Sequence, residues 1–250
     1  MRQLICFTIL TLGILACNDV EKGAVKNKPK TAQGQKSNLK NLKLDFNEPV
    51  FIDSSAVVMY PLTLENNDEE DRGLSSSYSS PATYWNIIFY NTATGRYHLL
   101  DDKRKMVIYS YDPKNSDTGS SSSSEFREGG YNQVDNLLYY SITITDFNND
   151  GKLNSDDPTY LFVSDKNGKN FKQVSPNNVN VSSWQTIKKT NKILLQVTKD
   201  SNNDKEFTDK DETNPMVYDL NKAGTSKEIF TEEFKETLKN TLDIQWTKEK

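Results

Sequence analysis

Two Asp/Asn-rich stretches, Asp146-Phe147-Asn148-Asn149-Asp150 and Asp200-Ser201-Asn202-Asn203-Asp204, carry the same spacing 54 residues apart. Each joins two apolar runs. Leu138-Tyr139-Tyr140-Ser141-Ile142-Thr143-Ile144 leads into the first, and Tyr160-Leu161-Phe162-Val163 follows it. Ile193-Leu194-Leu195-Gln196-Val197 and Met216-Val217-Tyr218 flank the second. Short β-branched and aromatic runs bounded by Asn, Asp, Gly and Pro are the signature of strands. A chain that repeats strand, polar loop and strand at a fixed offset is built from copies of one unit.

The repeat extends beyond the loops. At the same offset Val163-Ser164-Asp165 falls on Val217-Tyr218-Asp219, and turns at Lys166-Asn167-Gly168-Lys169 and Asn221-Lys222-Ala223-Gly224 follow. Final short strands end near Val174 and Ile229. A degenerate copy lies upstream, with strands at Val57 to Leu64, Trp85 to Tyr90 and Arg96 to Leu100. Preceding strands at Pro49 to Asp53, Met106 to Tyr111 and Ser182 to Ile187 complete each unit. The expected domain, residues 44–250, is therefore all-β: three four-stranded antiparallel meanders, at about 48–101, 105–176 and 180–230. Thr231-Glu232-Glu233-Phe234 offers a helix cap, and Phe234, Leu238 and Leu242 recur every four residues. They predict an amphipathic helix within 231–246.

Four-stranded meanders repeated every 40–60 residues or so are the sequence form of β-propeller blades. The phrase from Tyr160 to Pro176, with its apolar strand, Asp165, the Gly168 turn and a second strand, resembles blades of the TolB-like propeller family. Val174-Ser175 stands where that family commonly has Leu-Thr. Propellers usually have four to eight blades, and three units leave several arrangements open. These are an open stack, a sandwich of meanders, or half of a dimer that completes a ring.

The loops carry the chemistry. Asp146, Asn148, Asp150 and Asp157 occupy positions 1, 3, 5 and 12 of a calcium loop, with Gly151 at 6 and Leu153 at 8. Lys152 at 7 would offer its backbone carbonyl, and Asn154 at 9 its side chain or a water. Ca²⁺ takes six to eight hard oxygens, and this spacing wraps alternating groups around one point. The stretch resembles dockerin-like loops, which also use Asp at position 12. EF-hand helices are not expected, since a strand enters and Pro158 follows. In the second copy Asp200, Asn202, Asp204 and Asp211 stand at 1, 3, 5 and 12. Glu206 offers its carbonyl, Phe207 stands at 8 and Thr208 at 9, and Lys205 replaces the glycine at 6. The plain alternative is that Asp/Asn-rich hairpin loops arise readily in acidic proteins. The acids between Glu65 and Asp71 lack the spacing and read as a solvated loop.

The amino terminus reads as an address. Met1-Arg2-Gln3 and the apolar run Leu4 to Ala16 are long enough for a signal peptide and too short for a membrane span. The run ends in Ile14-Leu15-Ala16-Cys17, which resembles the lipobox of bacterial lipoproteins. That resemblance implies cleavage after residue 16, acylation of Cys17, and a lipid anchor in the outer membrane of a Gram-negative envelope. Residues 17–43, rich in Lys, Asn and Gln, read as a disordered tether. From Asn18 to Lys43 seven Lys outweigh Asp19 and Glu21, giving +5. Setting this and the +1 of Arg2 against the chain's −4 leaves −10 for residues 44–250. Such a domain favours cations and disfavours nucleic acid.

No phosphate loop, dinucleotide fingerprint or cysteine zinc pattern occurs. His98 reads as structural and Ser120 to Ser124 as a loop tip. Trp85, Trp184 and Trp246 are the residues able to stack on a sugar, although sheltered Trp is the commoner outcome. The expected role is non-catalytic: a calcium-binding envelope lipoprotein acting as a binding or scaffold module for a protein or glycan. The alternative is a carbohydrate-active accessory or hydrolytic enzyme using clustered carboxylates.

Overall fold

The computed structural model describes residues 43–52, 55–64, 82–112 and 133–247. The signal peptide at 1–16, Cys17 and the tether up to residue 42 lie outside the described residues, as do the acidic loop at 65–81 and the tip at 118–124. Twelve strands occur among the described residues. They are β1 (Val50–Phe51), β2 (Val57–Thr63), β3 (Tyr84–Asn91), β4 (Tyr97–Leu99), β5 (Val107–Asp112) and β6 (Leu137–Thr143), then β7 (Tyr160–Asp165), β8 (Lys172–Gln173), β9 (Val179–Ile187), β10 (Lys192–Lys199), β11 (Glu212–Asp219) and β12 (Lys227–Glu228). One α-helix, α1 (Glu232–Leu242), ends in a π-helical turn at Asp243–Thr247.

The grouping differs from three separate meanders. Eight strands form one antiparallel sheet in the order β1-β2-β3-β5-β6-β7-β8, with β4 paired to β3, and the rest form a second in the order β12-β11-β10-β9. A single pair, Tyr84↔Ile108, joins β3 to β5. The reason is the shortness of β4, which covers only Ile88 to Tyr90 of the β3 edge. The Tyr84 end of that edge lies beyond β4, and a sheet edge left open takes the next strand within reach. The described strands close no ring.

Side-chain alternation along β6 and β7 sends residues to two cores. Leu138, Tyr140, Ile142, Tyr160 and Phe162 meet Val57, Met59, Ile87 and Phe89 from β2 and β3 in one. Tyr139, Leu161 and Val163 point the other way, into Val181, Ile193, Leu195, Val197, Met216 and Tyr218 of the second sheet. Burial on both faces explains why these strands read as continuous apolar runs and not as an alternating pattern. Burying one such Leu, Phe or Val contributes about 1.5–3 kcal/mol.

Two contacts fix the first core. Gly168, in the turn between β7 and β8, has φ +72°, and a Cβ there would come within 2.5 Å of the Phe89 ring. Arg104 lies 5.3 Å from the Phe162 ring and 5.1 Å from that of Phe171, while its Nε donates to Asp101 at 2.5 Å. His98 stacks on Phe89 at 5.6 Å between centroids, and its Nε2 is buried without a hydrogen-bond partner. Burial, helped by the nearby Lys169 charge, pushes its pKa below the ordinary value.

The helix is present where expected, but its attachment is ionic. The Thr231 hydroxyl caps it by accepting from the Phe234 N–H at 3.3 Å. Glu228 of β12 is clamped between Lys199 and Lys235, and both cations lower its pKa. The apolar stripe joins neither core: Phe234, Leu238 and Leu242 are 45%, 49% and 58% exposed. Among the described residues no helix is long and apolar enough to cross a membrane.

Two outcomes follow from these contacts. Gly168→Ala combines overpacking with a left-handed backbone, so it lowers the unfolding free energy measured in urea by about 2–4 kcal/mol. His98 contributes stability that is full above its unfolded pKa, near 6.5, and is lost as pH falls through the lower folded value. Urea midpoints therefore decline more steeply from pH 7.5 to pH 5 in the native chain than in His98→Phe; equal slopes would refute the assignment.

Candidate metal centre

The two Asp-rich loops occupy matching places, the first between β6 and β7 and the second between β10 and β11. Their internal hydrogen bonds match residue for residue. In the first loop Asp146 Oδ1 accepts from the Asp150 N–H at 3.0 Å, and its Oδ2 from the Gly151 N–H at 2.9 Å. In the second, Asp200 accepts from the N–H groups of Asp204 and Lys205 at 3.2 and 3.1 Å. Asn148 and Asn202 accept from the N–H two residues on, at 3.0 and 2.9 Å. Asp150 and Asp204 do the same, at 2.8 and 2.9 Å. These are side-chain turns of the kind Asx residues form, and in series they curl the chain around its own carboxylates.

The twelfth positions also agree. Asp157 Oδ1 accepts from the Phe147 N–H at 2.7 Å and its Oδ2 from the Asn154 N–H at 3.1 Å. Asp211 accepts from Ser201 and Thr208 N–H groups, both at 2.9 Å. These backbone donors, Thr208 first, hold the Asp211 carboxyl below the usual carboxylate range. Asp157 and Asp211 are the only buried carboxylates among the described residues, at 3% and 8% exposed. Each closes its loop onto the sheet. At position 9, Asn154 and Thr208 accept from the N–H two residues on, at 2.8 and 3.3 Å.

The backbone of the second copy follows that of the first despite Lys205. Gly151 has φ +86° and Lys205 has φ +66°, and the residues at position 4, Asn149 and Asn203, have φ +64° and +61°. Lys205 thus adopts the left-handed turn that glycine takes in the first loop. That conformation costs a non-glycine residue about 1–2 kcal/mol, a cost borne by the surrounding turn bonds. The copies differ elsewhere: the Asn202 amide donates to Asp204 Oδ2 at 2.7 Å, tying up an oxygen.

The donor set fits a hard cation. Asp146, Asn148, Asp150, Asn154 and Asp157 supply oxygens in one loop, with the Lys152 carbonyl. Asp200, Asn202, Asp204, Thr208 and Asp211 supply them in the other, with the Glu206 carbonyl. Oxygen-only donors in this order suit Ca²⁺ and not a thiophilic or imidazole-seeking metal. Among the described residues no three acidic, His or Cys side chains gather into a tight metal-holding group. The carboxylates instead rest on backbone N–H groups of their own loops.

Sequence reasoning did not foresee how the loops meet. The Phe147 ring, at position 2 of the first, packs on Phe207, at position 8 of the second, with centroids 5.1 Å apart. Phe207 carried a signal, an apolar residue at position 8, whereas Phe147 carried none.

The other candidates are accounted for by packing or lie apart. Trp184 stacks on Tyr139 at 6.4 Å, against the second core. Trp85 is half-buried and Trp246 is 76% exposed. An open depression of about 530 Å³ is lined by residues 99–104 and Phe171. Its Asp101 is engaged by Arg104 and by the N–H groups of Lys103 and Arg104. No family model matches the chain, and no curated protein matches it.

Lys205→Gly relieves the left-handed cost of about 1–2 kcal/mol while adding the roughly 0.5–1 kcal/mol of chain entropy that glycine loses on folding. It is expected to stabilise the domain by about 0.5–1 kcal/mol, read as a higher urea midpoint. A lower midpoint would show that Lys205 has a compensating role.

Proposed function

We propose that this chain is a non-catalytic, calcium-stabilised lipoprotein of a Gram-negative envelope, working as a binding or scaffold module. The observation that carries the proposal is the identical turn architecture of two oxygen-rich loops, set at equivalent places between strands. Long polar loops cost conformational entropy that burial within them does not offset. A divalent ion held by Asp146, Asp150 and Asp157, with its counterpart at Asp200, Asp204 and Asp211, would neutralise crowded carboxylates and pin the loop. Calcium supplies binding energy and charge neutralisation in this reading, and no bond-making step.

Three further features support the export and docking parts of the proposal. The lipobox at Cys17 and the lysine-rich stretch after it suit a tethered domain. Pairing runs in chain order through β1–β4, β5–β8 and β9–β12, as it does in the blades of a propeller of the TolB-like kind. Apolar surface remains open for a protein or glycan partner at Phe46, Phe51 and Tyr97, which are 56%, 72% and 75% exposed, and along the stripe of α1. Scaffolds dock partners on such surfaces.

Thermal unfolding with and without EDTA tests the central claim. An ion at 100 times its dissociation constant stabilises by about 2.7 kcal/mol, which for a domain of this size raises Tm by roughly 5–10 °C. Asp146→Ala removes most of the calcium-dependent rise. Identical melting curves in calcium and EDTA would sink the proposal.

A further inference from the structure

A surface helix ordinarily turns its apolar face to the domain and its charges to water, and α1 does the reverse. Lys235 reaches Glu228 of β12, and Lys239 lies 3.5 Å from Glu212 of β11. The Lys235 side chain is 18% exposed and so lies deeper than Phe234 or Leu238. On the outward side Phe230, Phe234, Leu238, Leu242 and Trp246 recur every four residues, all of them exposed. The first two rings touch, with centroids 5.4 Å apart. A helix of 11 residues is marginal in water and takes most of its stability from packing of its apolar face. Exposed ion pairs add little to it. The row therefore calls for a cover.

Charge, shape and area together choose the cover. Residues 231–247 carry Glu232, Glu233, Glu236 and Asp243 against Lys235 and Lys239, a net −2. Helices that lie on a bilayer are rich in Lys and Arg, and the lipid surface is negative. A bilayer is thus a poor match. Along the axis the acids Glu232 and Glu233 occupy the first turn and Lys239 the last. A second α1 running antiparallel sets each first turn against the other's last, so opposite charges face one another. Residues spaced by four form a ridge, and two such ridges interlock when helices cross at about −50°. Five large side chains, each about half exposed, leave roughly 500 Å² of apolar surface per copy. Two copies would remove roughly 1,000 Å² from water, the lower bound for a specific interface.

We infer that this chain pairs with a second copy of itself, α1 packing antiparallel on α1 about a two-fold axis at Leu238. Such a contact uses the same row on both sides and closes at two copies. The inference rests on the binding-module reading above, whose open stripe it supplies with a partner, and uses neither the calcium nor the anchor. The −10 of the domain opposes association, but charges farther apart than about 8–10 Å are screened at physiological salt.

Disulfide trapping tests the pairing. Copper phenanthroline applied to broken cells expressing the full Leu238→Cys chain is expected to give a band of twice the chain's mass on non-reducing electrophoresis. The native chain controls for Cys6 and Cys17. The band is lost in Glu236→Cys, which alters an exposed position on the polar side, and in Leu238→Cys combined with Phe234→Glu. These are surface positions, and circular dichroism confirms that each variant is folded; Phe234→Gln replaces Phe234→Glu should that one fail. An equal band from Glu236→Cys, a band that survives Phe234→Glu, or a mixed disulfide of another mass would overturn the inference. So would the absence of a band with the introduced thiol shielded from a water-soluble maleimide, the result expected if lipid covers the row. No band beside a calcium-dependent rise in Tm overturns the second copy and leaves the calcium reading intact. A band without that rise supports the pairing and sinks the calcium reading alone.

Discussion

Burial of both faces of the β6–β7 pair sets the terms for the rest of the structure. Because Tyr140, Ile142 and Phe162 enter one core while Tyr139, Leu161 and Val163 enter the other, this pair cannot slip register by one residue without exchanging the two sets. The loop at one end of the pair is therefore held at a fixed height. The Gly168 turn at the other end lies against Phe89, where no larger residue fits. Since β9 is bonded to the base of the first loop and paired with β10, the second loop is brought beside it. Loop placement is thus a consequence of core packing.

Within the loops a different balance applies. The loop carboxylates accept from backbone N–H groups of their own loops, and these turn bonds set where their oxygens lie. Asp157 and Asp211 lie deepest, and N–H donors from two segments meet each of them. Hydrogen bonds to a charged acceptor are worth more than neutral ones. These bonds consequently contribute to holding the shape of the loops. The strain at Lys205 is tolerated for the same reason: four turn bonds fix the backbone around it.

Much of this was legible in the residues. Strand positions followed from β-branched and aromatic runs, since those residues pack on a pleated surface, and the 54-residue offset located both loops. The turns at Asp165 and Asp219 were marked by the same offset, and both carboxylates accept from backbone N–H groups there. The grouping of strands was not legible. It depends on the Tyr84↔Ile108 pair, between residues whose sequence neighbourhoods do not name each other. The helix was legible from its four-residue periodicity, but not what holds it: Glu228 and Lys235 attach it by charge and leave Phe234 and Leu238 exposed.

The sequence by itself determined local chemistry: which segments extend, where glycine or asparagine permits a left-handed turn, and which oxygens lie on one loop. These depend on near neighbours, whose order is covalent. Tertiary structure alone decided that the twelve described strands divide eight and four, and that Phe147 meets Phe207 across 60 residues. Those outcomes arise from two-sided burial and from edge groups seeking partners, and both depend on where distant segments come together.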